Sequence, residues 1–325
     1  MGDEDEKNTP PSRTKSTVLN RTLDIVGRTF ITVGLLMLAF VAYQLWGTGI
    51  EQAQSQKKLA AEFSRVTSST VPSQAAQYDR AVLREGDVVG RISMPSLGVD
   101  TWIVAGSKLK YLEKGPGVFP QSAMPGHVGN FAVAGHRTSY GAPFGDIDKL
   151  RKGDIITVTS QEGTFNYTVT GSEVVPPTDV SVLRTVDPTR AVATLITCHP
   201  KWTSSNRLIV HAELTSQQSA ITTPAVLTVS TPDTSEPETV TPGWFHDTSR
   251  VWPTLAWSAA LGAIWMVGSR LFRRHRRESG SAGSPALAVW NRAGTYAAIL
   301  SLAFLFTVTL YVMFGNLSGL LPANL

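Results

Sequence analysis

The chain has 325 residues, of which 42% are apolar and 17% are charged, with a formal net charge of +4 at pH 7. That length exceeds one ordinary domain, and that apolar content excludes a chain disordered throughout while allowing a core plus membrane segments. A single cysteine excludes an intramolecular disulfide and a cysteine-rich metal site. The excess arginine at residues 270–277 flanks an apolar run, which favours a membrane over a nucleic acid as partner.

The N-terminal part of the chain reads as a tail, a membrane span and a stalk. Residues 1–25 are polar and predict a disordered cytoplasmic tail. Residues 26–47 contain an apolar run with Tyr43 and Trp46 near its end, as in a transmembrane helix with interfacial aromatics. A cleaved signal peptide is the alternative, but no small-residue cleavage site follows. Residues 48–84 begin with helix formers and then become rich in Ser, Thr and Gln, which predicts a membrane-proximal stalk.

The segment 85–215 carries the organised sequence and is predicted to be a folded, mainly β domain. Short helices are expected only around 108–112 and 144–150. Many short strands punctuated by Gly and Pro indicate a closed or partly closed β-barrel, or a sandwich. The predicted strands are 88–92, 101–104, 131–134, 155–159, 165–175, 192–197 and 208–214.

The C-terminal part predicts two more membrane spans. A linker rich in Ser, Thr and Pro covers 216–250, and apolar spans at 251–269 and 293–314 enclose a basic loop at 270–292. The positive-inside rule places that loop in the cytoplasm, so the β domain and the tail 315–325 lie outside the membrane. Because 251–269 is short and contains Pro253, an interfacial helix is its alternative.

The only cysteine ends a strand, which makes it a candidate nucleophile. Residues 193–198 are apolar and β-branched, and Pro200 stops the run. Arg207 opens the next predicted strand, so pairing of the two strands would bring its guanidinium close to Cys198. A nearby cation increases the thiolate fraction of a thiol. The alternatives are a buried small hydrophobe for Cys198 and a solvated strand start for Arg207.

One of the six histidines is the best candidate for an acid and base beside this thiol. Two others lie in the linker and the basic loop, and His127 reads as an exposed turn residue between glycines. His199 points away from its neighbour Cys198 on an extended chain, and His211 lies about 13 Å along its strand from Arg207. His136 closes a strand and opens a loop with Gly141, a position where scaffolds display functional groups. A surface-loop histidine is the alternative.

Two segments together resemble the sortases, membrane-anchored cysteine transpeptidases of Gram-positive bacteria. Residues 194–198 (Thr-Leu-Ile-Thr-Cys) with Arg207 match the signature around the sortase cysteine, and residues 129–144 resemble the segment around the sortase histidine. The resemblance implies a sortase-type closed β-barrel with Cys198 as nucleophile, His136 as proton donor and Arg207 as oxyanion stabiliser. It also implies cleavage of a Leu-Pro/Ala-x-Thr-Gly sorting signal between Thr and Gly, through a thioacyl-enzyme.

The detailed resemblance is to the class E sortases of actinobacteria, on residues 136–141 (His-Arg-Thr-Ser-Tyr-Gly) and 198–200 (Cys-His-Pro). It implies Leu-Ala-x-Thr-Gly as a preferred signal, with Tyr140, Thr197 and His199 as candidate substrate contacts. The implied partners are secreted proteins bearing the signal and a lipid-linked peptidoglycan precursor or a pilin amine, with no cofactor and no metal.

Other readings of the resemblance stay open. A pilin-polymerising sortase is one alternative, although the lid motif of class C enzymes, Asp-Pro-aromatic, is absent before the barrel. A hydrolase that releases the peptide to water and a non-catalytic sortase-like membrane scaffold are two more. The two C-terminal spans are unusual for a housekeeping sortase and leave the subclass open.

Overall fold

The computed structural model describes residues 14–69, 83–215, 218–222, 226–227, 229–230, 248–278, 285–318 and 320. The chain forms two compact units, Met1–Tyr43 and Gln44–Leu325. The first contains helix α1 (Thr14–Ala42), and a short π-helix covers Tyr43–Gly47. The other helices are α2 (Thr48–Ser69), α3 (Leu109–Leu112), α4 (Val251–Glu278) and α5 (Pro285–Ser318).

Eight strands form a closed barrel, the fold that the sortase resemblance implied. The sequence pattern predicted seven of these strands, missed the two-residue strand Gly117–Val118, and left a sandwich as an alternative. Their order around the barrel is β2-β3-β4-β5-β8-β9-β7-β6, and β6 pairs with β2 to close it. The pairs β3–β4 and β5–β8 are parallel and the other pairs are antiparallel. The barrel strands are β2 (Val88–Met94), β3 (Val99–Ala105), β4 (Gly117–Val118), β5 (Gly129–Ala134), β6 (Ile155–Ser160), β7 (Gly163–Val175), β8 (Ala191–His199) and β9 (Asn206–Leu214).

Strand β8 is buried on both faces, which explains why its sequence is a continuous apolar run. Alternate residues of a strand point to opposite faces. Ala193 and Leu195 belong to the main core inside the barrel. Ile196 and Cys198 belong to a second apolar cluster on the outer face, against which Leu109 of α3 also packs. The nucleophile candidate therefore lies on the outer face of the barrel, beneath a loop layer.

The first part of the segment predicted as a linker after β9 packs against the barrel. Leu227 lies in the main core. Residues Val229–Ser230 form β10, which pairs in parallel with β1 (Leu83–Arg84). Apolar residues spaced along a polar segment were enough to anchor its first part. The rest of that segment up to residue 247 lies outside the described residues.

A second difference concerns the helix expected at 144–150, where only a 3-10 turn at Ile147–Lys149 forms. Phe144 is fully buried, and a backbone turn joins the Gly145 amide to the Ala142 carbonyl at 2.9 Å. A chain bent to bury Phe144 there cannot begin a regular α-helix.

Helix α2 packs against the barrel, although the sequence predicted only a stalk for this segment. The Gln56 amide nitrogen donates to the carbonyls of Trp102 and Lys114, at 3.0 and 2.8 Å. Its amide oxygen accepts from the Trp102 amide and the Thr101 hydroxyl, at 2.7 and 3.0 Å. Leu59 is buried with Val88 and Val104. The helix is therefore part of the folded domain, while residues 70–82 lie outside the described ones.

Within the part of the chain that the structure describes, three helical stretches are long and apolar enough to cross a membrane by length and composition. They lie within Thr22–Ser68, at Val251–Leu271 and at Ala297–Ser318. The second and third helices extend beyond the predicted spans, because α4 continues to Glu278 and α5 starts at Pro285. Arginine is a good helix former, so the basic end of α4 can remain helical beyond the apolar span.

We predict that Gln56→Ala lowers the free energy of unfolding by about 1–3 kcal/mol, because it leaves backbone groups of the barrel without partners. Denaturation in detergent micelles, followed by tryptophan fluorescence, measures this change. The control is Gln54→Ala, an exposed glutamine on the same helix, for which a change within about 0.5 kcal/mol is expected. Equal effects of the two substitutions would show that α2 docking does not stabilise the barrel.

Candidate active site

The candidate residues meet because β8 lies between β5 and β9 in the barrel. In the parallel β5–β8 pair, Ala134 is opposite Ile196, and the Gly135 amide donates to the Ile196 carbonyl at 3.0 Å. His136 follows two residues after Ala134, as Cys198 follows two after Ile196. Neighbouring strands lie about 4.8 Å apart. The His136 and Cys198 positions are therefore adjacent across two strand ends and on the same face.

Arg207 approaches Cys198 from the other side. The antiparallel β8–β9 register places the two residues directly opposite each other, which is the pairing that the sequence predicted. The Arg207 Nη1 atom donates to the Cys198 Sγ atom at 3.5 Å. It also donates to the Ser204 and Asn206 carbonyls, each at 3.1 Å, so the guanidinium is held at the end of the strand.

The Arg207 guanidinium places a positive charge beside the buried Cys198 sulfur. Burial lowers the pKa of the Arg207 guanidinium, and the neighbouring Cys198 sulfur acts in the opposite direction. Arginine nevertheless stays protonated in proteins. A fixed cation beside a buried sulfur stabilises its anionic form more than its neutral form.

His136 is buried at the start of a tight loop. The Ser139 Oγ atom lies 3.4 Å from its Nδ1 atom, and its ring is 5.0 Å from that of Tyr140. Tyr140, Gly141 and Ala142 all adopt left-handed backbone angles, with φ of 48°, 72° and 45°. The tyrosine is buried as well, and its hydroxyl donates to Glu113 Oε1 at 3.2 Å. The candidate substrate contact thus forms one wall of the His136 pocket.

The other two candidate substrate contacts differ in their environment. Thr197 is buried and its hydroxyl donates to the Gly135 carbonyl at 2.7 Å, so it joins β8 to the end of β5. His199 is only partly buried and its Nδ1 atom lies 3.0 Å from Nη1 of Arg137. The His199 side chain is therefore partly open to solvent, whereas the Thr197 hydroxyl is engaged by the backbone.

Arg137 is a site residue that the sequence reasoning did not single out. Its side chain is buried, donates to the Cys198 carbonyl at 2.9 Å and forms an ion pair with Asp148 at 3.1 Å. It therefore couples the residue after His136 to the backbone of the nucleophile candidate. Its position beside His136 was the one available signal, and arginine in a polar loop is ordinarily a solvated residue.

The structure places two other histidines away from this cluster, each beside a glutamate. His127 is buried against Glu162, so its prediction as an exposed turn residue is wrong. The reason is a partner 35 positions along the chain, which the local pattern of glycines does not reveal. His211 is partly exposed on β9 and lies 2.9 Å from Glu173, as expected for a strand residue outside the site.

Part of this chain, including most of the barrel, is similar in sequence to known proteins. Residues 92–215 match the family profile of the sortase domain. Sortase SrtE1 of Streptomyces coelicolor is 36% identical over 210 residues, which cover 59% of this chain and 57% of that protein. Sortase A of Bacillus anthracis is 35% identical over 140 residues, covering 43% of this chain and 65% of that protein. The chain thus spans less than two thirds of the length of both relatives.

A similar solved structure is that of the Clostridium perfringens Sortase D5 transpeptidase. It is 32% identical, and the match covers 50% of this chain and 99% of that chain with a TM-score of 0.46.

We predict that Arg207→Met slows alkylation of Cys198 by iodoacetamide at pH 7 by about tenfold, because loss of the adjacent cation lowers the thiolate fraction. The single cysteine makes mass spectrometry an unambiguous readout of the rate. Arg190→Met, which removes an exposed arginine paired with Glu213, serves as the control and should react like the parent chain. An unchanged rate in Arg207→Met would contradict the electrostatic assignment.

Proposed function

The chain contains a sortase domain at residues 92–215, and from this premise we propose that it is a membrane-anchored cysteine transpeptidase. The observation that carries the proposal is the convergence of three side chains on one face of the barrel. Cys198 ends β8, Arg207 donates to its sulfur from β9, and His136 follows β5 on the other side. A thiol, a fixed cation and an imidazole are the groups that acyl transfer requires.

In the first step the Cys198 sulfur attacks the carbonyl carbon of the Thr-Gly peptide bond. The carbonyl oxygen becomes an oxyanion, and the Arg207 guanidinium stabilises that charge through its N–H donors. Protonated His136 gives its proton to the departing glycine nitrogen as the C–N bond breaks. The products are a thioester on Cys198, a released peptide amine and neutral imidazole.

In the second step an amine attacks the thioester. Its nitrogen forms the new amide bond, the C–S bond breaks, and the proton lost by the amine passes to His136. The thiolate and imidazolium pair is thereby restored. The acceptor that we propose is the amine of a lipid-linked peptidoglycan precursor. Transfer to this amine would attach the substrate protein to the cell wall.

The substrate is proposed to be a secreted protein with a Leu-Pro/Ala-x-Thr-Gly signal near its C-terminus. Tyr140 lies against His136, and partly buried His199 adjoins the nucleophile. From these positions we propose that both residues border the scissile bond. Thr197 is proposed to act through its bond to the Gly135 carbonyl, which fixes the two strand ends relative to each other.

The proposed location is the cell membrane, with a cytoplasmic N-terminus and an extracytoplasmic barrel. Three apolar helices support membrane anchoring, and the arginines of residues 270–277 support a cytoplasmic loop between the last two. The accompanying domain division is the tail 1–25, span 26–47, stalk 48–84, barrel 85–215, linker 216–250, spans 251–269 and 293–314, loop 270–292 and tail 315–325. Helix α2 of the stalk and Leu227 of the linker pack onto the barrel. In this arrangement the barrel meets proteins after they cross the membrane.

The main alternative function is a membrane scaffold without catalysis. The geometry favours an enzyme, because a binding scaffold has no need to bury a guanidinium within 3.5 Å of a lone thiol. Pilin polymerisation and hydrolysis use the same thioester and differ only in the acceptor.

We predict that a Leu-Ala-x-Thr-Gly peptide acylates Cys198 of the parent chain, which raises the mass of the chain by that of the Leu-Ala-x-Thr acyl group. Cys198→Ala should form no such adduct and should keep its fold. Intact-mass spectrometry measures the adduct, and circular dichroism checks the fold. Products with and without added amine separate transpeptidation from hydrolysis. Normal peptide turnover by Cys198→Ala would refute the proposed nucleophile.

We predict that an impermeant maleimide applied to intact cells labels Lys152→Cys but not Ser281→Cys, each made in a Cys198→Ala background. Lys152 is exposed on the barrel, whereas Ser281 belongs to the loop between the last two spans. Labelling of both cysteines after lysis controls for reactivity. The opposite pattern in intact cells would reverse the proposed topology.

A further inference from the structure

The carboxylate of Glu113 links the C-terminal helices to the loop of residues 136–145, called the His136 loop below. Glu113 follows α3, and both of its oxygens accept from Nη2 of Arg250 at 3.1 Å. The Tyr140 hydroxyl donates to the same carboxylate at 3.2 Å. Arg250 closes the 3-10 turn Thr248–Arg250 immediately before α4. Glu113 thus connects Arg250, which lies next to a proposed membrane span, to the tyrosine that packs on His136.

Arg250 also ties the two C-terminal helices together at this point. Its Nη1 atom donates to the Gly315 carbonyl near the end of α5, at 3.3 Å. Phe314 and Leu320 are buried in the same region. The guanidinium therefore links the start of α4, the end of α5 and the barrel, and its position depends on both helices.

Helix α2 holds the same loop from another side. The Tyr140 amide donates to the hydroxyl of Thr48 at 3.0 Å, and Thr48 is fully buried. Gly141 lies so close to Gln52 that a Cβ atom at Gly141 would be 2.5 Å from its side-chain oxygen. The Tyr311 hydroxyl of α5 donates to the Gly47 carbonyl at 3.3 Å. The loop is enclosed by residues adjoining the membrane helices.

The loop needs such support because its backbone is strained. Tyr140 and Ala142 have φ of 48° and 45°, angles that cost a non-glycine residue about 1–2 kcal/mol each. Conformations of this kind persist only where the surroundings determine them. Tyr140 donates hydrogen bonds to Glu113 and Thr48, and these bonds hold it in the strained conformation. The His136 ring packs against the tyrosine held in this way.

The charge on Glu113 makes Arg250 essential to the arrangement. Burial raises the pKa of the Glu113 carboxyl, and Arg250 opposes that rise. Without the guanidinium, a half-buried carboxylate would lose its compensating charge and would protonate or turn towards solvent. Either change weakens the acceptor of the Tyr140 hydroxyl.

From these contacts we propose that Arg250, Glu113 and Tyr140 are positioning residues, through which the C-terminal membrane helices hold the His136 loop in its catalytic conformation. The catalytic part of this inference rests on the proposed transpeptidase function. The two C-terminal spans then have a role in the chemistry as well as in anchoring. His136 can donate its proton only when its ring faces the leaving group. Loss of the contacts from Arg250 and Glu113 should therefore lower the rate of the chemical step more than it weakens binding of the peptide.

The first test is amide hydrogen exchange on the full chain in lipid nanodiscs, which requires no substrate. Arg250→Gln should raise exchange of the peptide covering residues 136–145 by about tenfold, because local opening becomes easier. Arg250→Lys, which keeps a cation, should give a smaller increase. The control Arg190→Gln breaks an exposed ion pair with Glu213 on the barrel and should leave the loop unchanged. Equal loop exchange in Arg250→Gln and the parent chain would overturn the inference.

The second test is the kinetics of acylation by a Leu-Ala-x-Thr-Gly peptide with the same variants. Arg250→Gln should lower kcat by about tenfold with KM changed less than twofold, because a misplaced proton donor affects the chemical step. Arg250→Lys should restore part of the rate. A raised KM with unchanged kcat, or an unchanged kcat despite faster loop exchange, would overturn the positioning role. Absence of any adduct in the parent chain would instead refute the transpeptidase proposal, and loop exchange would still decide whether the helices hold the loop.

Discussion

The meeting of Cys198, His136 and Arg207 depends on the pairing of β8 with β5 on one edge and with β9 on the other. Both partners of Cys198 come from these two neighbours, one parallel and one antiparallel. The parallel register brings the end of β5 level with the end of β8, and the antiparallel register brings the start of β9 there. Strand parity then puts the three side chains on the outer face. The catalytic set that we propose is therefore a consequence of barrel topology more than of any local motif.

The same topology explains why the candidate site is rigid. The inner face of β8 is filled by the main core, which fixes the backbone of Cys198. The outer face carries a smaller apolar cluster covered by α3 and nearby loops. Arg137 connects the His136 loop to the Cys198 carbonyl, and the Glu113–Arg250 pair connects that loop to the membrane helices. Support for the imidazole thus comes from the barrel and from the membrane-proximal parts of the chain.

The sequence predicted those features that depend on neighbours along the chain. Seven of the barrel strands followed from short patterns, and the closed barrel was implied by the sortase resemblance. The approach of Arg207 to Cys198 also followed from a short pattern, since a nine-residue separation leaves few ways to pair two strands. The bonds that complete the site join residues far apart. Thr197 bonds Gly135 across 62 positions, and Arg250 bonds Glu113 across 137. No local pattern distinguishes such residues from solvated charges, and His127 was misjudged for the same reason.

The most direct test of the account is the structure of the full chain with a Leu-Ala-x-Thr peptide analogue joined to Cys198 through a disulfide. The account predicts that the peptide lies on the outer face of the barrel, with an Arg207 N–H donor about 3 Å from the threonine carbonyl oxygen. The His136 imidazole should face the position of the departing amine, with Tyr140 still bonded to Glu113. A peptide that runs away from Arg207 and His136 would contradict the proposed assembly of the site.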